Sequence, residues 1–158
     1  MVYGESRTAN RCVCREAIPE SYCTRTGDPN YAYSLLKQYK GEWEFDTNWK
    51  MIFGHPKKAG WIKAIQEAQQ TVQKGLKLDC PILVMSSNKS FPETETWHEE
   101  YMTSDIVLDV QDIQKYGQKL GDKVTRDTIP NGIHDLILSQ KPYRNDAYQS
   151  IFEWLKKQ

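Results

Sequence analysis

Four consecutive apolar residues, Ile82-Leu83-Val84-Met85, set the tightest limit on how this chain can fold. The run is short, begins after Pro81 and ends in Ser86 and Ser87. That pattern predicts a strand buried on both faces, as in a parallel sheet covered by helices. The flanking sequence supplies the covering. Lys58 to Leu76 repeats Trp61, Ile65, Ala68, Val72 and Leu76 at helical spacing, which makes one apolar face, and Gly75 lies where that helix should end. Val110 to Leu120 aligns Val110, Ile113, Tyr116 and Leu120, with Gly121 as its C-cap. Val124 to Ile129 reads as a second strand. Tyr143 to Lys156 reads as a last helix that turns Ala147, Ile151, Trp154 and Leu155 to the core. The order helix, strand, helix, strand, helix predicts an α/β fold with right-handed crossovers and a parallel sheet.

Upstream the pattern changes. Residues 1–30 are polar and non-periodic and end in the turn cluster Gly27-Asp28-Pro29-Asn30, so they form an irregular N-terminal segment. Tyr31 to Tyr39 is a short helix candidate with Leu35, Leu36 and Tyr39 on one side, broken by Gly41. Trp43, Phe45, Trp49, Met51 and Phe53 then fall on odd positions. Alternation fits a half-buried strand; the Gly and Pro around it fit an irregular aromatic loop instead. Three regions result: 1–30, 31–60 and 61–158.

Lys+Arg and Asp+Glu both number 21, so the chain has no net charge. It therefore lacks the electrostatic footprint of a nucleic-acid or lipid-surface binder. No apolar run approaches the roughly 18 residues of a membrane span, and polar residues interrupt Met1 to Arg15, where a signal peptide would need an apolar stretch. A cytoplasmic chain is expected. Cys12 and Cys14 miss the CxxC spacing of zinc and redox sites, and no second Cys/His pair at ligand spacing accompanies them. Free thiols are the preferred reading of Cys12, Cys14, Cys23 and Cys80, with no metal and no cofactor; a metal site built from the first three and a histidine is the weaker alternative.

In open α/β sheets, functional residues collect in loops at the carboxyl ends of strands. Two loops here occupy that position. The first delivers Asp105, in TSDIVLDVQDI, and the second His134, in NGIHDL. A carboxylate bonded to one imidazole nitrogen fixes the tautomer, leaving the other nitrogen free to take a proton from a nucleophile. Plainer roles fit the same residues: His134 as a hydrogen-bonded loop side chain, Asp105 as a helix N-cap. Asp109 and Asp112 compete for the acid's place.

The strings GEWEFDTNWK, GWIKAIQEAQQTVQKGLKLDCPILVMSSNKS, TSDIVLDVQDI and NGIHDLILS, in this order over about residues 30–158, resemble one branch of the α/β-hydrolase superfamily. It is the monoacylglycerol-lipase-like branch, also described as serine aminopeptidase S33 or lysophospholipase-like. The resemblance implies that Asp105 is the triad acid, Asp109 the second, non-catalytic acid of the same string, and His134 of Gly132-Ile133-His134 the general base. It implies ester, lipid or amide hydrolysis by a Ser-His-Asp triad on an acyl-ester or amide small molecule. It also makes residues 31–60 the tail of the lid over the substrate pocket.

The family's nucleophile sits in a Gly-x-Ser-x-Gly elbow between a strand and a helix, and no such string occurs here. Gly4-Glu5-Ser6-Arg7-Thr8 lacks the second glycine and a preceding strand. Ser86, Ser87 and Ser90 are serines near the acid loop, which is not where the family places its nucleophile. The expectation is the C-terminal portion of an α/β-hydrolase fold with an incomplete sheet, its nucleophile unassigned. Such a portion would rely on self-association or on a separately encoded N-terminal half. The alternative is a non-catalytic binding or interaction protein built on the same half-fold.

Overall fold

Strand β3, Ile82–Ser87, and strand β4, Val124–Ile129, pair in parallel, with Ile82 opposite Val124 and Ser87 opposite Ile129. They form the centre of a computed structural model that describes residues 22–23, 29–54 and 57–158. Before them come β1 (Tyr22–Cys23), α1 (Asn30–Leu35), β2 (Lys57–Lys58) and α2 (Ala59–Lys74); β1 and β2 make a two-residue antiparallel pair. Helix α3 (Val110–Gly117) joins β3 to β4, and α4 (Lys141–Leu155) follows them. The architecture is mixed α/β, with a small open parallel sheet and four helices among the described residues.

Successive side chains of a strand point to opposite faces, and this places α3 and α4 on opposite sides of the sheet. Arg126 reaches the carbonyl of Gln114 on α3, and Gln114 reaches the Ser86 hydroxyl. The neighbours of Arg126 point the other way: Asp127 bonds Ser150 and Thr125 bonds Trp154, both on α4. Helix α3 lies close because Gly117 meets Val84; a Cβ there would stand 2.8 Å from the Val84 Cγ1.

Several expectations need correction. Helix α2 has the expected length and ends on Gly75 at φ 100°, yet none of its residues is buried. Its apolar stripe faces α3 across an open groove of about 530 Å³ lined by Ile65, Val72, Leu108, Ile113 and Tyr116, so the face is only partly covered. For the same reason Ile82–Met85 is half-buried and not enclosed on both sides; only Ser86 and Ser87 of β3 are buried. Two strands make a strip too narrow for helices to seal. Helix α1 stops at Leu35, because Leu36 turns extended and bridges to Trp43; Tyr39 is exposed. Of the two readings of the aromatics 43–53, the irregular loop is the one observed, since past the bridge at Trp43 they form turns and loop. Helix α3 ends at Gly117, and Gly121 is not its cap. Gly121 instead lets the chain pass Leu78, whose carbonyl oxygen a Cβ would meet at 2.3 Å. In α4 Ala147 is buried, whereas Leu155 is exposed.

The best-packed side chains lie beyond the carboxyl ends of the strands. Leu35, Leu36, Tyr101, Met102, Ile106 and Ile133 are all buried there, as is Ile129 at the end of β4. Phe91, Trp97 and His98 surround Tyr101, whose hydroxyl accepts the N–H of Thr94 at 2.8 Å. The loop after β3 is thereby a folded unit with its own core. Among the described residues no helix is long and apolar enough to cross a membrane.

Candidate active site

Asp105 is positioned by its backbone first. Its N–H donates to the Lys89 carbonyl at 3.0 Å, and its carbonyl accepts from Phe91 at 3.0 Å. The loop returning from Tyr101 is thus pinned as a short parallel bridge at Ser90, in line with the end of β3. The carboxylate is 2% exposed. One oxygen accepts the N–H groups of Val107 and Leu108, both at 2.8 Å, and the other faces His134 Nδ1 at 3.0 Å.

His134 follows β4 through a turn in which Asn131 takes φ 58°, a conformation asparagine tolerates better than most residues. The Asn131 N–H donates to the Asn88 side chain at 3.1 Å, which ties the two loops together. The buried Ser139 hydroxyl accepts the Ile133 N–H at 3.0 Å and closes the histidine loop from behind. At Gly132 a Cβ would lie 2.6 Å from the Leu136 Cδ2, so the turn is close-packed.

Burial pushes the Asp105 carboxyl up, but the His134 hydrogen bond and the two backbone donors outweigh it and hold it below the usual carboxylate value. The same bond to Asp105 raises His134 above its ordinary value, against an opposing effect of burial. An ionised carboxylate can only accept, so Nδ1 carries the proton and Nε2 of the neutral ring presents its lone pair. That is the arrangement of a general base.

The rival acids separate cleanly. Asp109 is the N-cap of α3, accepting the Gln111 N–H at 2.9 Å, and Asp112 lies exposed in the first turn of the same helix. Asp105 is not a helix N-cap, since Asp109 takes that place; one of its oxygens caps the turn at Val107 and Leu108 and the other faces the imidazole.

The serines do not complete the pair. The Ser86 hydroxyl donates to the Ser87 carbonyl and accepts from Gln114. Ser87 lies under the Lys89 N–H, and Ser90 bridges the Leu108 carbonyl and the Val110 N–H. Ser104 Oγ is buried without a hydrogen-bond partner among the described residues. Ser6, Cys12 and Cys14 lie outside the described residues, as does the side chain of Cys23; Cys80 is an exposed free thiol. Among the described residues no group of three His, Cys, Asp or Glu side chains is placed to hold a metal.

The resemblance made residues 31–60 a covering segment, but sequence reasoning missed the contacts by which it straps this pair. Residues 29–54 touch both loops. On the acid side Asn30 donates to the Thr94 carbonyl at 2.9 Å. On the histidine side Trp43 donates to the Leu138 carbonyl at 2.8 Å, while Tyr31 and Lys50 both bond Asp135. Two open hollows lie in this region, and His134 lines the first of them. One, of about 320 Å³, is lined by Met85, Leu136, Leu138 and Ile151; the other, about 380 Å³, lies beyond Tyr31 between Trp49, Met51, Phe53 and Val107. Only the adjacency of Asp135 to His134 could have flagged the Tyr31 contact, because Tyr31 and Asp135 are 104 apart in sequence.

No protein-family model, curated protein or solved structure matches the chain.

Proposed function

We propose that this chain supplies the acid and the general base of a serine-hydrolase triad of the α/β-hydrolase kind, in the monoacylglycerol-lipase-like or S33 branch. Asp105 orients and charges against His134, and His134 Nε2 takes the proton of a serine that attacks an acyl ester or amide. The observation that carries the reading is the 3.0 Å contact between a buried carboxylate and His134 Nδ1, with both residues just past the ends of adjacent parallel strands. The hollow that His134 shares with Met85, Leu136, Leu138 and Ile151 suits an acyl group.

The fact that no described serine bonds His134 favours a second reading, a binding or interaction protein on the same scaffold. A fluorophosphonate probe decides between them, applied to this chain alone and to this chain co-expressed with whatever the adjoining coding sequence specifies. Labelling of a serine that disappears in His134→Ala supports the hydrolase. No labelling in either preparation, together with an adjoining sequence that encodes no Gly-x-Ser-x-Gly elbow, leaves the binding protein.

A further inference from the structure

Asp135 follows His134 directly in the chain, and its carboxylate is held by two groups from the strap. The Tyr31 hydroxyl donates to its Oδ2 at 2.6 Å, and the Lys50 ammonium lies 2.9 Å from the same oxygen. Tyr31 also touches the imidazole itself: its ring stands edge-on to that of His134, with centroids 5.9 Å apart at 74°. Lys50 sits over the Tyr31 ring at 5.6 Å. The imidazole is therefore gripped twice, by Asp105 at Nδ1 and by Tyr31 at its ring.

We infer that the strap sets the surroundings of the His134 imidazole, through the Tyr31 ring that packs on it and the Asp135 carboxylate that Tyr31 and Lys50 hold beside it, with Tyr31 and Lys50 as positioning residues. The inference rests on the reading of His134 as the proton-transferring group.

The charges explain why the arrangement acts on the histidine. The groups that bear on the imidazole are Asp105 from the acid loop, Asp135 from its own loop, and Lys50 and Tyr31 from the strap. Both carboxylates favour the imidazolium, and Lys50 opposes it. Burial, then the bond to Asp135, pushes the Tyr31 phenol up, so it stays a neutral donor and adds no charge. Burial pushes the Asp135 carboxyl up, yet Tyr31 and Lys50 outweigh it and keep the group ionised. Lys50 thus offsets the carboxylate that it also anchors. If the strap lifts, Asp135 loses both partners and its charge acts on His134 unopposed.

The test is a nuclear magnetic resonance titration of the His134 ring in the full chain, which needs no substrate. Lys50→Met raises the His134 midpoint by about 0.5 in pH, and Asp135→Asn lowers it by about as much. Lys50→Arg restores the original midpoint. Unchanged midpoints in Lys50→Met and Asp135→Asn, with circular dichroism showing both folded, overturn the inference. Should Asp135→Asn not fold, the two Lys50 variants decide alone, since that side chain is 44% exposed. Failure of the probe experiment above would not move these midpoints, so the two proposals fail separately.

Discussion

The hydroxyl of Ser139 accepts the backbone N–H of Ile133 at 3.0 Å, closing the loop that presents His134. Both residues are buried, so neither atom has water as an alternative partner. Ser139→Ala leaves the Ile133 donor unsatisfied and costs about 1–3 kcal/mol of folding stability. Urea denaturation measures it. A loss within a few tenths of a kcal/mol would mean that the loop closes without this bond.

Asp105 and Asp109 stand four residues apart and are distinguished by substitution. Asp105→Asn replaces the acceptor facing Nδ1, so the His134 midpoint falls by about one in pH or more. Asp109→Ala removes the N-cap of α3 and costs about 1 kcal/mol, leaving the His134 midpoint where it was. One titration series on the two variants reads both outcomes.

Stability is greatest in a defined pH window. His134 is raised above its ordinary 6.5, so its contribution is complete below that value and is lost as pH climbs through the folded-state value. Asp105 and Asp135 are lowered from 3.8, so their contributions are complete above that value and are lost as pH drops through their folded-state values. The urea midpoint is therefore highest between 3.8 and 6.5 and declines on either side. In His134→Ala the decline on the alkaline side is smaller. An equal decline in the variant would assign the alkaline loss to other groups.

Gly117 sets the distance between α3 and β3. Alanine there improves helix propensity by about 1 kcal/mol, but its Cβ would lie 2.8 Å from the stiff Val84 side chain, and overpacking of this kind costs about 1–3 kcal/mol. Gly117→Ala destabilises on balance. In a Val84→Ala background the same change becomes neutral or favourable, and the coupling in the double-mutant cycle measures the contact.

The regular elements of the sheet half were legible because each rests on a local pattern. Ile82–Met85 announced β3, Val124–Ile129 announced β4, and Gly75 marked the end of α2. Asp105 and His134 were legible because strand ends in a parallel sheet are where such residues gather. Burial was not legible, since an apolar stripe such as that of α2 says which face would pack, not whether a neighbour arrives to cover it. Gly121 misled for a related reason: a glycine after a helical run has the same letter whether it caps a helix or makes room for a carbonyl. The organised loop around Tyr101 escaped because it is built from Thr94, Trp97 and His98, residues that read as polar or scattered. The individual contacts of the strap were out of reach because Tyr31, Trp43 and Lys50 find their partners near the other end of the chain.

Tyr101 and its neighbours have a consequence for how the molecule opens. An α/β sheet is ordinarily firmest along its strands and loosest in the loops beyond them. Here the buried side chains gather in those loops, while α2 buries none of its residues. Amide exchange follows the cooperative unit to which each amide belongs, so the N–H groups of Phe91 and Asp105 exchange among the slowest and those of α2 among the fastest. Loss of α2 can then precede global unfolding, leaving a smaller body in which Asp105 and His134 still face each other.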